Sequence, residues 1–345
     1  MKLLICIWHP AHVHFFKNLI WKMEKEGHQI EIAAYKKDFN IDLLEKYGLK
    51  YHNLGNHKDS NLIFKVLNMF SIDKKLYRIM KNYNPDFVLT IGGAYPSFIS
   101  KLLGKKCFAF TDSESAKLSI MLTVPFVYRI LTPLQFKKDL GHKQLRYNSF
   151  HELAYLHPNY FTPNKPSGIL FGDNESKEYA IIRFVSWGAA HDIGQTGLSL
   201  EMKRKIVHSL SKKCRVIISS ESKLPKDLEM HRMDFPPDKV HDILQNASLY
   251  LGEGATMAVE SIILGTPAIY VNTLDNFGHF EELKRKYKLL YVLKGKTEIL
   301  KKSIEILNGE HLPEWKLKRE KMLDEKIDLT YFIESLLKKD AGFVG

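Results

Sequence analysis

The sequence has few cysteines and no long hydrophobic segment. Only three cysteines, Cys6, Cys107 and Cys214, occur among 345 residues, and none stands in a Cys-x-x-Cys pair. This usage gives no disulfide framework and no zinc motif, and it fits a reducing, cytoplasmic compartment. The best apolar candidate, residues 118–131, is interrupted by Pro125 and Arg129. No window therefore reaches the roughly 18 apolar residues of a membrane span.

Low-complexity segments and recognised nucleic-acid motifs are also missing, so we expect no nucleic-acid partner. Hydrophobic residues make up 45% and charged residues 26%, as in ordinary globular proteins. The length predicts two domains. The apolar run at residues 3–8 ends at His9-Pro10 without a small-residue cleavage site, so we interpret it as a buried strand and not as a signal peptide.

Positive charge is concentrated in the first half of the chain. Residues 1–160 contain 23 Lys and Arg against 13 Asp and Glu, a net charge of +10, whereas the whole chain carries +12. A basic half attracts anions such as lipid headgroups or a lipid-diphosphate. The alternative is a lysine-rich surface that serves solubility. The first interpretation predicts peripheral contact with the inner membrane face through lysines such as Lys74, Lys75, Lys105 and Lys106.

The hydrophobic pattern predicts two doubly wound parallel-sheet domains. Short β-branched runs alternate with segments whose apolar residues recur at helical spacing, which is typical of α/β domains. The stretch 157–166, with several prolines and asparagines, is predicted to be a linker. The expected strands are 3–8, 29–35, 87–91, 106–110, 179–184, 214–219, 249–251 and 268–271. The expected helices are 13–26, 63–83, 200–212, 237–247 and 257–264.

The strongest local motif follows the predicted strand 249–251, where the chain runs through glycines into a helix. Glycines let a ligand approach the backbone, and the amides at a helix start favour a phosphate or diphosphate. The alternative is a turn that only lets the helix pack on its sheet. The motif is neither the dinucleotide Gly-x-Gly-x-x-Gly nor a P-loop. The candidate anion-binding residues are Gly252, Gly254, Ala255, Thr256 and Met257, with Glu260 as a candidate acceptor for ribose hydroxyls.

Three histidines, His9, His12 and His14, surround the end of the first predicted strand. Imidazole transfers protons near neutral pH, and His12, at the expected helix start, is the leading candidate for a catalytic base. A metal site with this spacing of histidines would need a second cluster of ligands nearby. The sequence shows no such cluster, so we expect no metal. For His14, packing within the helix is the alternative.

Asp112 and Glu114 follow the predicted strand 106–110. Either carboxylate could orient His12 or act as the base itself. The alternative for Asp112 or the neighbouring Ser113 is a helix N-cap.

Polar residues also follow two strands of the second half. Arg183 and Ser186 could bind a phosphate, and Ser219 and Ser220 could contact the same ligand. Turn chemistry explains the two serines equally well.

Several of these segments resemble glycosyltransferases of the GT-B fold, notably the MurG type. Residues 254–260 together with 265–268 resemble the family's donor motif. Residues 10–15 resemble its first glycine-rich turn, and residues 90–95 resemble its second. The resemblance implies diphosphate binding by residues 254–256, ribose binding by Glu260 and a functional histidine at His12. It also implies acceptor contacts for His14, Gly92, Gly93 and Ala94. Where that family has glycines in the first turn, this chain has prolines and histidines.

The whole chain resembles the uncharacterised domain of unknown function 354 family, which is itself GT-B-like. The segments that carry this resemblance are 9–16, 110–114, 152–158 and 218–221. This resemblance supports the fold but implies no reaction. We expect an acceptor domain at 1–160, a nucleotide-sugar donor domain at 161–325, and a C-terminal helix at 326–345 that packs back on the first domain.

The function expected from these resemblances is transfer of a sugar from a nucleotide diphosphate, with UDP-sugar as the expected donor, to a glycan or lipid-linked acceptor. No cofactor and no metal are expected. One alternative is a non-hydrolysing UDP-N-acetylglucosamine 2-epimerase, although Trp8-His9-Pro10-Ala11-His12 replaces that family's opening turn. Another is a nucleotide-sugar-binding protein without catalysis.

Overall fold

The computed structural model describes residues 1–56, 62–164, 178–185, 198–271, 277–309 and 312–343. The described chain forms two compact units: Met1–Tyr155 together with Ile327–Gly345, and Leu156–Lys326. The strands are β1 (Lys2–Ile7), β2 (Gln29–Lys36), β3 (His52–Asn56), β4 (Phe87–Ile91), β5 (Lys106–Phe110), β6 (Arg129–Pro133), β7 (Gln144–Tyr147), β8 (Tyr179–Phe184), β9 (Arg215–Ser220), β10 (Leu249–Gly252), β11 (Ala268–Tyr270) and β12 (Leu290–Val292).

Helices occupy most of the described chain between these strands. They are α1 (Pro10–Lys25), α2 (Asn40–Lys46), α3 (Leu62–Tyr83), α4 (Ala94–Leu102), α5 (Lys117–Thr123), α6 (Leu153–Leu156), α7 (Leu200–Leu210), α8 (Lys226–Glu229), α9 (Val240–Gln245), α10 (Ala255–Leu264), α11 (Gly278–Glu281), α12 (Lys296–Leu307), α13 (Leu312–Glu325) and α14 (Leu329–Asp340). A π-helical turn, Glu282–Lys286, follows α11.

The first unit contains a seven-stranded sheet in the order β3-β2-β1-β4-β5-β6-β7, and all of its pairings are parallel. The interior strand β1 buries five successive apolar residues because helices cover both faces of a parallel sheet. His9 caps α1, since its Nδ1 accepts a hydrogen bond from the Ala11 amide, and Pro10 occupies the first helical position. Proline is favoured there because that amide has no partner within the helix.

The C-terminal helix α14 belongs to this first unit. Its Glu334 forms an ion pair with Lys22 of α1 at 2.6 Å, and its Thr330 hydroxyl donates to the Ala154 carbonyl at 2.8 Å. Lys106 Nζ donates to the carbonyl of Asp340 at 3.2 Å. Polar contacts therefore fix both ends of the helix to the unit.

The second unit contains a five-stranded sheet in the order β12-β11-β10-β8-β9, again entirely parallel. One face is covered by a buried cluster that includes Ile206 and Leu210 of α7 and Ile299 of α12. On the other face, α10 buries every residue from 258 to 264, and all of them are apolar except Glu260 and Ser261.

Each sheet has a point where the strand order reverses direction. In the first sheet it lies between β1 and β4, and in the second between β8 and β10. Ligands of open parallel sheets bind outside the carboxyl ends of the strands at such points. In the first sheet, β1 is followed by His9 and the start of α1, and β4 is followed by Gly92 and Gly93. In the second sheet, Arg183 lies near the end of β8, and Gly252 ends β10.

Residues 118–131, the longest apolar candidate in the sequence, divide into two elements. They contain most of α5 and the first part of β6, with Pro125 in the turn between them. Within the described part of the chain, no helix is long and apolar enough to cross a membrane.

Candidate functional site

The turn between β10 and α10 is tightly packed at its first glycine. A Cβ atom on Gly252 would lie 2.8 Å from Arg183 Cβ and 2.8 Å from the Tyr250 hydroxyl oxygen. The same Tyr250 hydroxyl donates to the Gly254 carbonyl at 3.0 Å. Any larger residue at 252 would separate β10 from β8, so packing alone accounts for this glycine.

The start of α10 has no side-chain cap from its N-cap residue. Gly254 is the N-cap residue and provides no side chain to cap the helix, and the first turn contains no acidic residue. Thr256 is exposed, and Ala255 and Met257 are half-buried. An uncapped helix start attracts anions, because several N–H groups and the positive end of the helix dipole coincide there. This arrangement fits the diphosphate-binding hypothesis, which stays a prediction.

Glu260 lies deeper on the same helix and has a partner that the sequence analysis missed. It is 5% exposed, and its Oε1 lies 3.1 Å from Nε2 of His241, which is 2% exposed, on the neighbouring helix α9. When the carboxylate is ionised it only accepts hydrogen bonds, and Nε2 is then the donor. Ribose binding by Glu260 also stays a prediction. A ribose hydroxyl would have to bind the same carboxylate as His241.

Glu253 lies between the two glycines, is buried, and accepts hydrogen bonds from backbone amides. Its Oε2 accepts from the Val185 amide at 3.0 Å and its Oε1 from the Leu198 amide at 2.6 Å. These two amides flank residues 186–197, so Ser186, a predicted phosphate ligand, lies outside the described residues. Sequence reasoning gave Glu253 no role because the glycines on either side carried the motif.

Arg183 and Ser219 contact each other at the ends of neighbouring strands. Arg183 Nη1 donates to the Ser219 hydroxyl at 2.7 Å, and Nη2 forms an ion pair with Glu221 at 2.6 Å. The hydroxyl of Ser220 donates to the Ser222 carbonyl, which is the turn chemistry considered as the alternative. An anion that bound Arg183 would therefore compete with Glu221.

In the first unit, the two glycines after β4 adopt left-handed backbone conformations, with φ of 64° at Gly92 and 101° at Gly93. A Cβ on Gly93 would lie 2.5 Å from the Thr90 hydroxyl, which accepts a hydrogen bond from the Trp8 indole. Ala94 then begins α4. These constraints explain the glycines, and acceptor contact by Gly92, Gly93 and Ala94 remains an expectation.

His12 is half-buried at the start of α1, and the Trp8 amide donates to its Nδ1 at 3.3 Å. Burial lowers the pKa of His12 well below its usual value, and the nearby positive charges of His9, His151 and Lys37 lower it further. The ring is therefore neutral at pH 7, with its proton on Nε2. This geometry suits a hydrogen-bond donor better than the general base expected from the sequence, because the unprotonated nitrogen already accepts from the backbone.

Asp112, which follows β5, forms an ion pair with a histidine that sequence reasoning missed. Its Oδ2 lies 3.2 Å from Nδ1 of His151, whose ring packs edge-on against Phe15 of α1 at 5.0 Å. Phe15 lies three residues after His12 on the same helix, so the His12, Asp112 and His151 side chains belong to one neighbourhood. We call these three residues the histidine-aspartate cluster. The segments 110–114 and 152–158 carry the family resemblance, and His151 stands directly before the second of them.

Two other predicted site residues are already engaged within the first unit. Glu114 is buried, and its Oε1 accepts from the Lys137 amide at 3.2 Å. His14 is buried with its ring stacked on Tyr155 at 5.5 Å and its Nδ1 3.4 Å from the Tyr47 hydroxyl. Packing accounts for His14, as the alternative interpretation expected, and its contact with an acceptor stays a prediction.

Among the residues that the structure describes, no group of three or more His, Cys, Asp or Glu side chains is arranged to hold a metal ion. The three cysteines are free thiols, with Cys6 and Cys107 buried.

Two doubly wound parallel-sheet domains define an α/β protein of the GT-B fold class, as the sequence predicted. The chain belongs to the family described as protein of unknown function (DUF354), whose profile matches residues 1–308. An uncharacterized protein of Methanocaldococcus jannaschii, MJ0665, is 22% identical over 309 residues, which cover 83% of this chain and 86% of that protein.

Solved structures of two kinds of enzyme share the fold. A UDP-GlcNAc 2-epimerase from Neisseria meningitidis, bound to UDP-GlcNAc, superposes with a TM-score of 0.67 at 13% identity, covering 98% of this chain and 100% of that one. The glycosyltransferase VinC in complex with dTDP superposes with a TM-score of 0.62 at 14% identity, covering 98% and 99%. At these identities the likeness establishes the fold alone.

Proposed function

We propose that this protein is a glycosyltransferase that takes its sugar from a nucleotide diphosphate, with a UDP-sugar as the donor. The observation that carries the proposal is the start of α10: an uncapped helix of 10 residues, free of acidic side chains in its first turn, at the switch point of a parallel sheet. The positive end of this helix would stabilise the diphosphate as it leaves, so the reaction would need no metal ion.

The histidine-aspartate cluster supplies the acid-base chemistry of the proposal. The Asp112 carboxylate, whose side chain is 29% exposed, takes the proton from the acceptor hydroxyl. The acceptor oxygen then forms a bond to the anomeric carbon while the bond from that carbon to the diphosphate breaks. His151 positions Asp112 through Nδ1–H, and His12 donates Nε2–H to an oxygen of the reacting sugars. Glu114 remains a second candidate base.

A thermal-shift screen tests the donor assignment. We expect UDP or a UDP-sugar to raise the melting temperature, because a ligand that binds only the folded state stabilises it. GDP, ADP, CMP and their sugars are the comparison set. Absence of a shift with every nucleotide would overturn the proposal.

The reaction products distinguish sugar transfer from epimerisation. Transfer releases UDP only when an acceptor is present and continues in EDTA. Epimerisation at C2 instead incorporates solvent deuterium into the sugar without an acceptor, and binding without turnover would indicate a non-catalytic protein. The epimerase remains an alternative because enzymes of that kind share the fold.

We also propose that the acceptor is lipid-linked and that the first unit contacts an anionic bilayer. Five large apolar side chains are between 45% and 65% exposed on α4 and α5, which pack against each other. We call them the apolar patch: Phe98, Leu102, Leu118, Met121 and Leu122. Exposed Lys101 and Lys117 lie on the same two helices, and Lys143 donates to the carbonyls of Val124 and Pro125 just beyond α5. Apolar side chains rimmed by lysines are suited to an anionic membrane surface.

This arrangement changes which lysines should be tested. Lys106, one of those chosen from the sequence, bonds to the Asp340 carbonyl and lies over the Tyr128 ring, so its removal would disturb the anchoring of α14. We expect salt-sensitive sedimentation with phosphatidylglycerol vesicles and none with phosphatidylcholine. Neutralising Lys101 or Lys117 should weaken partitioning about fivefold each.

The matched controls are Met230→Ser and Leu317→Ser, which remove exposed apolar side chains from the second unit. They should leave vesicle binding unchanged, whereas Leu118→Ser with Met121→Ser should abolish it. If the wild-type protein is recovered equally in the supernatant with phosphatidylglycerol and with phosphatidylcholine vesicles, the membrane proposal is overturned.

A further inference from the structure

Three aromatic side chains meet at the carboxyl ends of β1 and β2. The centroid of the Trp8 ring lies 6.0 Å from that of Tyr35, near the end of β2, and 6.0 Å from that of Tyr95, in the first turn of α4. Strand side chains alternate between the two faces of a sheet, and Trp8 and Tyr35 continue the rows of Cys6 and Ala33. The three rings pack on the same apolar cluster as α3, so they lie on the sheet face that α3 covers.

Asp73 of α3 lies in the same neighbourhood. Burial raises the pKa of Tyr95, and the negative charge of Asp73 and the phenol of Tyr35 raise it further, so these three groups are close to one another. Ile72, the residue before Asp73, packs in the apolar cluster on which the rings lie. We call Trp8, Tyr35, Tyr95 and Asp73 the aromatic-acid group. All four side chains are half-buried, so each keeps some exposed surface for a ligand.

The Asp73 carboxylate lacks a partner for one of its oxygens. Oδ1 is buried, and no donor among the residues that the structure describes forms a hydrogen bond with it. Burial also raises the pKa of Asp73, as expected for a desolvated carboxylate. A buried carboxylate oxygen without a donor destabilises the ligand-free protein, and a ligand that supplies the donor removes this cost.

We propose that the aromatic-acid group binds a primary ammonium group of a ligand. The faces of aromatic rings attract a cation, and ammonium N–H groups are charged donors for Oδ1. A neutral hydroxyl supplies the hydrogen bond without the charge, and a quaternary ammonium supplies the charge without an N–H group. Both should therefore bind more weakly than a primary ammonium.

The position of the group indicates which ligand carries the ammonium. The Trp8 amide donates to Nδ1 of His12, so the aromatic-acid group adjoins the histidine-aspartate cluster. The ligand is then the acceptor, an identity that rests on the function proposed above. The ammonium itself belongs either to an amino sugar or to a lipid headgroup.

Calorimetry without nucleotide tests the proposal with two pairs of probes. Glucosamine and glucose differ only by an amino or hydroxyl group at C2, and phosphoethanolamine and phosphocholine differ only by the methyl groups on nitrogen. We expect the wild-type protein to prefer the primary amine by about tenfold or more in at least one pair, because hydrogen bonds between charged groups are the strong ones. A preference in the first pair assigns an amino sugar, and one in the second assigns a headgroup.

Two variants should reduce this preference. In Asp73→Asn it should fall to about twofold or less, because the amide has the same shape but no charge. Tyr95→Leu removes one ring and should weaken amine binding about threefold. Asp86→Asn is the matched control, since this aspartate accepts from the Lys2 amide at the opposite, amino edge of the same sheet. It should leave the preference unchanged.

The stability of Asp73→Asn separates a ligand site from a structural carboxylate. We expect the melting temperature of the ligand-free protein to rise, because the change removes a buried charge whose Oδ1 has no donor among the described residues. A lower melting temperature, or failure to fold, would show that the carboxylate stabilises the fold and would overturn the proposal.

The ammonium site and the proposed function can fail separately. If neither pair of probes shows a preference for the primary amine, the ammonium site is overturned even when UDP binds. If the amine preference is present and depends on Asp73 but no nucleotide binds, the proposed function fails and the ammonium site stands.

Discussion

Asp112→Asn is expected to lower turnover about 10³-fold while leaving the affinity for UDP unchanged. The amide is isosteric but cannot take the proton from the acceptor hydroxyl, and general base catalysis contributes about 10² to 10⁴ in rate. Asp112 lies in the first unit and the proposed diphosphate site in the second, so catalysis and nucleotide binding should separate. Single-turnover kinetics and calorimetry on the same preparation measure both.

Variants of the neighbouring residues refine this test. His12→Ala should also reduce turnover strongly with nearly unchanged nucleotide affinity, because it removes a donor, whereas His151→Gln should have a smaller effect and shift the pH profile of turnover. Asp139→Asn is the control, since this exposed aspartate only accepts a hydrogen bond from the Gly141 amide. Wild-type turnover in Asp112→Asn would transfer the base role to Glu114 or another group.

Strands and helices with strong periodicity were predictable from the sequence. The bounds of β4, β5 and β8 coincide with the predicted ones, because each is a buried apolar run bounded by turn residues or followed by polar ones. Elements with weaker patterns were missed. The short edge strands β3 and β12, for instance, bury few residues, so alternation and apolar content reveal little about them.

The carboxylates of Asp112 and Glu260 were singled out from the sequence, but the histidines that contact them were not. His151 precedes a short helix and His241 lies in the first turn of α9, and neither position has a pattern that distinguishes it from a surface histidine. Their pairing with Asp112 and Glu260 depends on contacts between residues 39 and 19 positions apart in the chain. Such contacts follow from the topology of the sheet and not from local spacing.

The role of His12 illustrates a second limit. Residue type and position identified an imidazole at the end of β1, but its tautomer depends on one backbone amide, that of Trp8. Only the folded chain shows which nitrogen carries the proton, and the donor role proposed for His12 rests on that contact.

Ala255→Asp should weaken UDP binding at least about 100-fold without destabilising the protein. Two unit charges about 4 Å apart near a protein surface repel by about 4 kcal/mol, and a diphosphate carries more than one. An acidic residue in the first turn of a helix is otherwise favourable, because it interacts with the positive end of the dipole. Binding and stability should therefore change independently, as calorimetric titration and urea unfolding will measure.

Thr297→Asp is the matched control for this change. Helix α12 also begins after a glycine N-cap, Gly295, in the same unit, and Thr297 is exposed in its first turn. The control should leave UDP affinity unchanged. Equal losses in both variants would indicate a general charge effect, and undiminished binding in Ala255→Asp would exclude the start of α10 as the diphosphate site.

The central claim, that a nucleoside diphosphate is held by the amides at the start of α10, is tested most directly by amide hydrogen exchange with and without saturating UDP. We expect the amides of Ala255, Thr256 and Met257 to exchange slowly only when UDP is bound, because the phosphate oxygens then accept their hydrogen bonds. Saturable UDP binding that leaves exchange at these three amides unchanged would contradict it.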